Sequence, residues 1–411
     1  MPSKTCVLDL TRTLAGPFCT QVLADQGADV IKIEPLEGDF FRRVGPYASD
    51  DTERHHGGLF QSCNRSKRSI ALDLKHADGQ ALLRELVAHA DALVENFRAG
   101  VMTKLGLGYE ALSALNPRLV YTSIRGFGDS PGGRSPNMDW PCFDIVAQAM
   151  GGWMGVTGHD AEHPLKLGGG PGDTVAGLFG AFGTLTALWH ARASGKGQYV
   201  DIAMVDGVLA LAESVVSFFA YRGMTMTPAG NGMPGLAPFD TFAAGGRRHR
   251  DRRPARSSMA RALPAHRSFR AARRSAIRQR DAAMGASSRA PRGDRGIHAG
   301  RTKQELREIF GGHVPFGPVQ NADDIFADPH FAARDMLPEL DHPGSAKRMA
   351  VPGVPVKLSV TPGRVRQRAP KLGEHAHEVL AQFGVPGASD RPHCRGRRRR
   401  AEVGVRWRPA T

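Results

Sequence analysis

What most constrains this chain is the alternation of strand-length apolar runs with helix-spaced segments along its first third. "VLDL" (Val7 to Leu10) is a short apolar strand, and "AGPFCTQVLADQGA" after it has helical spacing. "DVIKIE" (Asp29 to Glu34) gives a second strand, "DGQALLRELVAHA" a further helix, and "DALVEN" and "LVYTSIRGFG" two more strands. Parallel strands need a crossover, usually a helix, so this order predicts an α/β protein with a Rossmann-like open parallel sheet. Ligands of such sheets lie beyond the carboxyl ends of the strands. Ala15, Gly16 and Pro17, just after the first strand, therefore fall where a ligand would lie. No G-x-G-x-x-G follows that strand, and the glycines between Gly168 and Gly172 lead into no GK[ST], which argues against a dinucleotide site or a P-loop.

At 411 residues the chain exceeds the usual size of one core, so two domains are expected. It has no apolar run of 18 residues and no signal-peptide pattern at its start, so the expectation is a cytoplasmic protein without a membrane partner. The five cysteines form no CxxC pair and no cluster with histidine, so neither a disulfide framework nor a metal site is expected.

The net charge of +15 raises the question of nucleic-acid binding, and its distribution argues against it. Residues 247–296 carry sixteen Arg against three Asp, and residues 385–411 carry eight Arg against Asp390 and Glu402. The remainder is left at −4. The first of these islands has no Lys, Glu, Val, Tyr or Trp. It can bury too little to offset its ordering entropy, and disorder or a loosely held helix is expected there. Its composition also matches a GC-rich gene read out of frame, the reading adopted for residues 246–298 and for the tail after 384. The alternative, a basic arm that binds phosphates, lacks the aromatics that stack on bases.

One acid stands out. In "LKLGGGPGDTVAGLFGAFG" a run of glycines ends on Asp173 and an apolar helical pattern begins at once. The residues alone leave open a helix cap, a phosphate-loop residue or a nucleophile, and spacing alone favours the cap. With an ordinary carboxyl pKa of about 3.9, Asp173 is expected to be ionised at neutral pH, helped by a helix starting at Thr174.

Several blocks together carry a resemblance: "LDLTRTLAGPFCTQVLADQGADVIKIEPLEGD", "NRSKRSIALDLK", "VENFRAGVMTKLGLGYEALSALNPRLVYTSIRGFG", "FDIVAQAMGG", "GDTVAGLFGAFGTLTALWHARASGKGQYVDIAMVDG", "PFGPVQNADDIFADPHF" and "LGEHAHEVLAQFG". In order and spacing, over roughly residues 5–245 and 300–384, the chain resembles a family III coenzyme A transferase, of the superfamily shared with alpha-methylacyl-CoA racemase. The resemblance implies an enzyme that moves CoA from an acyl-CoA thioester to a free carboxylic acid. It has no tightly bound cofactor, and Asp173 is its covalent nucleophile.

The same resemblance places Thr13, Leu14, Ala15, Leu72, Asn96, Phe97 and Arg98 around bound CoA, with Arg98, Lys104 and Arg125 as partners for its phosphates. It makes Gly230, Gly232 and Gly235 a mobile loop over the reacting carbonyl. Solvated ends for Arg98 and Lys104, a core place for Phe97 and a plain turn for the glycines are the simpler readings. Lys67 and Arg68 could face solvent or phosphate, and His375 reads as helix packing.

The implied architecture is a large CoA-binding domain (1–215) rejoined by a returning segment (319–384), a smaller α+β domain (216–318) between them, and a basic tail (385–411). Two chains interlock as rings in a homodimer. Members of the family use oxalate, succinate, malate, mesaconate, carnitine or aromatic acids, and the motifs do not separate these. The rival chemistry is acyl-CoA racemisation, whose members carry a His where Phe143 precedes Asp144. A phenyl ring cannot shuttle protons, which favours transfer.

Overall fold

The computed structural model describes residues 5–129, 132–232, 239–244, 257–262, 301–313 and 315–385. Its described residues divide into two compact units. The first contains residues 5–153, 166–222 and 330–385, and the second residues 154–165 and 223–329. Most of the arginine island and nearly all of the basic tail lie outside the described residues, and so does Gly235.

The first unit is built on six parallel strands, β1 (Cys6–Asp9), β2 (Asp29–Glu34), β3 (Arg68–Ala71), β4 (Ala92–Glu95), β5 (Val120–Arg125) and β6 (Tyr199–Ala203), in the order β3-β2-β1-β4-β5-β6. The α/β expectation holds, and the four strands read from the sequence appear within one residue of their expected ends, except that β5 stops at Arg125, three residues before the end of "LVYTSIRGFG". Alternate residues feed two cores. Leu8, Leu10, Ile31, Ile33 and Leu93 enter one, against Leu83 and Leu86 of helix α3, whose range is Ala77–Val87. Val7, Val30, Val94 and Val120 enter the other, against α1 (Ala15–Asp25) and the long helix Pro171–Ser194. A sheet covered on both faces reads as apolar runs rather than clean alternation.

Further helices of this unit are α2 (Gly58–Cys63), α4 (Val101–Lys104), α5 (Tyr109–Leu115), α6 (Asp144–Met150), α7 (Trp153–Val156, which runs on past the unit's edge), α8 (Pro171–Ser194), α9 (Met204–Leu211) and α10 (Glu213–Arg222). Small residues let α8 approach its neighbours closely. A Cβ at Gly177 would sit 2.5 Å from the Ala15 carbonyl oxygen, and one at Gly180 would sit 2.9 Å from Ile124 Cδ1. The chain's late segment also belongs to this unit. Arg366 donates to the Ala24 and Ala28 carbonyls, and His375 donates through its N–H to Ser69 O before the helix Ala376–Gln382. His375 accordingly has the packing place expected of it.

The second unit holds an antiparallel sheet of β7 (Phe239–Ala244), β8 (Ser257–Ala262) and β9 (Phe316–Pro318), with helices Lys303–Phe310 and Ala322–Ala327. Each helix starts on a capping box, Thr302 with Glu305 and Asn321 with Asp324. Lys303 and Asp324 join them at 2.7 Å. Among the described residues no single helix is long and apolar enough to cross a membrane.

Candidate active site

Sheet order places the crevice. Connections run outward in opposite directions from β1 and β4, so the loops after these two strands flank the topological switch point where α/β proteins bind ligands. The loop after β1 is held from beneath by buried charge. Lys32 pairs with Asp39 at 3.3 Å and donates to Thr11 O at 2.9 Å, while the Asp39 carboxylate accepts the Thr13 N–H at 3.3 Å. Thr13 has φ 70°, a left-handed conformation uncommon for a β-branched residue. Such strain persists only where the surroundings impose it, and it clusters at functional sites.

Across the switch point, Asn96 clips the loop in place. Its side chain accepts from Arg12 N at 2.9 Å and donates to Arg12 O at 2.8 Å. The Arg12 guanidinium then lies over the Phe97 ring at 5.2 Å. Arg12, Arg98 and Lys104 are exposed and form no ion pair among the described residues, so three cations at the carboxyl ends of β1 and β4 are available to an anionic ligand. Sequence reasoning missed Arg12. Its signal was a basic side chain in the first loop, one residue before Thr13.

Three expectations meet a different arrangement. Arg125, expected at the CoA phosphates, is buried, and one of its terminal nitrogens is held by Glu95 at 3.0 Å and Asp129 at 2.9 Å, so its charge is already matched inside the sheet. Leu72 is 2% exposed and packed in the core, which leaves only its main chain to meet a ligand. Lys67 is fully buried. Its amine donates to Asp9, Thr20 and Asn64 side chains and to Pro17 O, all at 2.8–3.0 Å. Burial alone would raise the Asp9 carboxyl, but the adjacent Lys67 and Lys32 cations hold it down at about 2. Arg68 is likewise taken up by Asp29 and Glu378.

Asp173 sits differently from a cap. The helix begins two residues earlier, with Gly170 as the N-cap and Pro171 at the first helical position, so Asp173 falls in the first turn of α8 and caps nothing. Its carboxylate makes no hydrogen bond among the described residues. A Cβ added at Gly170 would stand 2.8 Å from Leu14 Cδ2, 3.7 Å from Asp173 Oδ2 and 3.9 Å from Asp144 Oδ1, so Leu14, Asp144 and Asp173 converge over this glycine. Gly169 has φ 75°. The N–H groups of Gly168, Gly169 and Gly170 have no acceptor among the described residues, which leaves donors beside the carboxylate. Ala15 is buried where α1 crosses α8.

The charge state also departs from expectation. Burial, and then the neighbouring Asp144 charge, push the Asp173 carboxyl up to about 7, outweighing the helix N-terminus. The Cys142 thiol beside it is raised to about 11 by burial and by Asp173. A carboxylate freed from hydrogen bonds, partly desolvated and poised near neutrality is a strong nucleophile once deprotonated. In the second unit, Gly230 has φ 69° and donates to Gly158 O at 2.9 Å, with Gly232 two residues on. Among the described residues no group of three His, Cys, Asp or Glu could hold a metal ion.

Known proteins resemble this chain over most of its length. Residues 3–376 match CoA-transferase family III. A succinyl-CoA:mesaconate CoA-transferase from Haloarcula hispanica is 40% identical over 94% of this chain and 97% of its own. A succinate–glutarate CoA-transferase from Agrobacterium fabrum is 34% identical over 92% of this chain and 94% of its own. The crystal structure of a CAIB/BAIF family protein from Brucella suis superposes with a TM-score of 0.76 at 31% identity, covering 93% of this chain and 99% of that one. The chain belongs to CoA-transferase family III and is an enzyme of that class.

Proposed function

We propose that this enzyme exchanges CoA between an acyl-CoA thioester and a free short-chain dicarboxylic acid through covalent intermediates on Asp173. The observation that carries the reading is the Asp173 carboxylate: in the first turn of α8, without a hydrogen bond among the described residues, and just after three glycines whose N–H groups have no acceptor among them. The dicarboxylate class is supported by the relatives named for succinyl-CoA with mesaconate and for succinate with glutarate.

The steps balance without water or redox chemistry. An Asp173 oxygen attacks the thioester carbonyl, the C–S bond breaks, and CoA thiolate leaves a mixed anhydride. The thiolate then attacks the aspartyl carbonyl, releases the donor acid as carboxylate and leaves an aspartyl-CoA thioester. The acceptor carboxylate attacks that thioester, expelling CoA thiolate again and forming its own anhydride with Asp173. Thiolate attack on the acceptor's acyl carbon gives the new acyl-CoA and restores the carboxylate. Each tetrahedral oxyanion forms where the N–H groups of Gly168 to Gly170 can donate, and covalent catalysis splits one hard exchange into easier ones. Arg12, Arg98 and Lys104 are assigned to the CoA phosphates, and Thr13, Leu14, Asn96 and Phe97 to its adenosine and pantetheine arm.

The enzyme is assigned to the cytoplasm and to an interlocked homodimer. The dimer is supported by an apolar stripe on α8, Leu178, Phe182, Leu185 and Trp189, whose spacing lines one face and whose members are exposed, Trp189 to 80%. Racemisation is disfavoured by Phe143, which is 69% exposed and has no proton to give. The deciding assay supplies succinyl-CoA and a panel of dicarboxylic acids in deuterated water. A new acyl-CoA without α-deuterium, lost in Asp173→Ala, supports transfer. Deuterium at the α-carbon without transfer contradicts it.

A further inference from the structure

The glycine loop that delivers Asp173 is fastened at both ends to one helix. Asp144, the first residue of α6, accepts the Gly172 N–H at 2.8 Å through Oδ1. Its Oδ2 accepts from Gln148 Nε2 at 2.7 Å, and Gln148 Oε1 accepts the Leu167 N–H at 2.8 Å. Asp144 and Gln148 are four residues apart on α6, so both project from one face and reach the loop as a unit. Gln148 is fully buried, and its amide oxygen and nitrogen are both used in this chain of bonds. Between the two anchors lie Gly168 to Pro171, and directly after them Asp173. A side chain at 172 is excluded too, since a Cβ there would stand 3.0 Å from both Asp144 O and Oδ1.

We propose that Gln148, acting through Asp144 and the Leu167 and Gly172 amides, is a positioning residue that holds the glycine loop and hence the Asp173 carboxylate in the geometry for attack. This rests on the reading of Asp173 as nucleophile. Gln148 touches no reacting atom. Its amide fixes the far end of the loop while keeping the Asp144 oxygens aimed at the near end. A displacement of about 1 Å at a nucleophile lowers turnover by up to about a hundredfold without weakening substrate binding. Glutamine suits the place because it both donates and accepts. An isosteric apolar side chain fills the volume and makes neither bond.

Asp144 also acts on Asp173 by charge. Of the elements packed on α8, α6 brings Asp144, preceded by the Cys142 thiol. Helix α1 opens with the uncharged stretch from Leu14 to Cys19 and has Asp25 as its last residue. Helix α9 carries Asp206, and β5 and β6 carry Arg125 and Asp201. The Lys166 amine lies on the Leu167 and Gly169 carbonyls. Among these groups Asp144 is the one that raises the Asp173 carboxyl.

The test uses the full chain with succinyl-CoA as donor and mesaconate as acceptor, reading kcat and KM separately, pH profiles, and the covalent CoA ester on the Asp173 peptide. In Gln148→Met the expected result is kcat lower by about thirty- to a hundredfold with KM for succinyl-CoA within about twofold of wild type. In Asp144→Asn, where the neighbouring charge is gone, the acid limb of the pH profile moves down by roughly one pH unit. An unchanged kcat in Gln148→Met, or a rise in KM alone, overturns the proposal. If Gln148→Met does not fold, the Asp144→Asn limb decides: a downward shift supports the coupling of this pair to the nucleophile, and an unmoved limb overturns it. A wild-type enzyme that transfers CoA with no ester on Asp173 overturns the nucleophile reading itself. A wild-type ester with an unaffected Gln148→Met overturns only the positioning role.

Discussion

Asp173 places chemistry and stability in opposition. Its carboxyl is raised from 3.8 to about 7, so the folded protein holds the proton more tightly than the unfolded chain. Stability from this group is therefore present below about pH 4 and lost as pH rises through about 7. Asp173→Asn is expected to be more stable than wild type above about pH 8 by about 2 kcal/mol, after allowance for partial solvent screening, with the difference vanishing below about pH 4. Denaturant titrations at both pH values check this. The same ionisation should give wild-type kcat/KM an acid limb near 7. Lys67 illustrates the opposite use of burial. Lys67→Met strands the Asp9 carboxylate beside Lys32 alone and is expected to cost about 3–5 kcal/mol at neutral pH, measured by chemical denaturation. Asp173 stood out as a candidate because a glycine run ending on an acid is a local pattern. The burial of Lys67 and Arg125 was not legible, because their partners Asp9, Glu95 and Asp129 come from other strands or from the chain beyond a strand's end.

At the scale of elements, α8 is the part whose packing can be tested most sharply. Gly177 faces backbone, so Gly177→Val drives a side chain into the Ala15 carbonyl and is expected to cost about 3 kcal/mol and disturb the loop at Leu14. Gly180 meets only side chains, Ile124 at 2.9 Å and the Cys19 sulfur at 3.2 Å, so Gly180→Ala is expected to change stability by less than about 1 kcal/mol, helped by the higher helix propensity of alanine. Thermal unfolding of the two variants separates backbone from side-chain crowding. The start of α8 differed from expectation by three residues, at Pro171 rather than Thr174, because proline is preorganised for the first helical position. Gln148 was not singled out in the sequence, because its bond to Leu167 and that of Asp144 to Gly172 join residues about twenty or more apart along the chain.

On the scale of the whole molecule, the parallel α/β sheet followed from the alternation of strands and helices, while the order β3-β2-β1-β4-β5-β6 depends on contacts between distant segments that no local pattern carries. The carboxyl-end site followed from strand order. The exposed stripe on α8 is expected to be covered in solution by a second copy, and Trp189→Asp is expected to convert a dimer to a monomer in light scattering. A monomeric wild type contradicts that assembly. The Arg-rich composition of residues 247–296 has no counterpart in the mildly acidic remainder of the chain. The proposed exchange turns on a covalent bond to one carboxylate, which mass analysis of the intact protein after mixing with succinyl-CoA detects. The expected gain equals coenzyme A less water, maps to the peptide bearing Asp173, is discharged by the acceptor acid and is absent from Asp173→Ala. Transfer activity with no such gain, or a gain mapped to another residue, contradicts it.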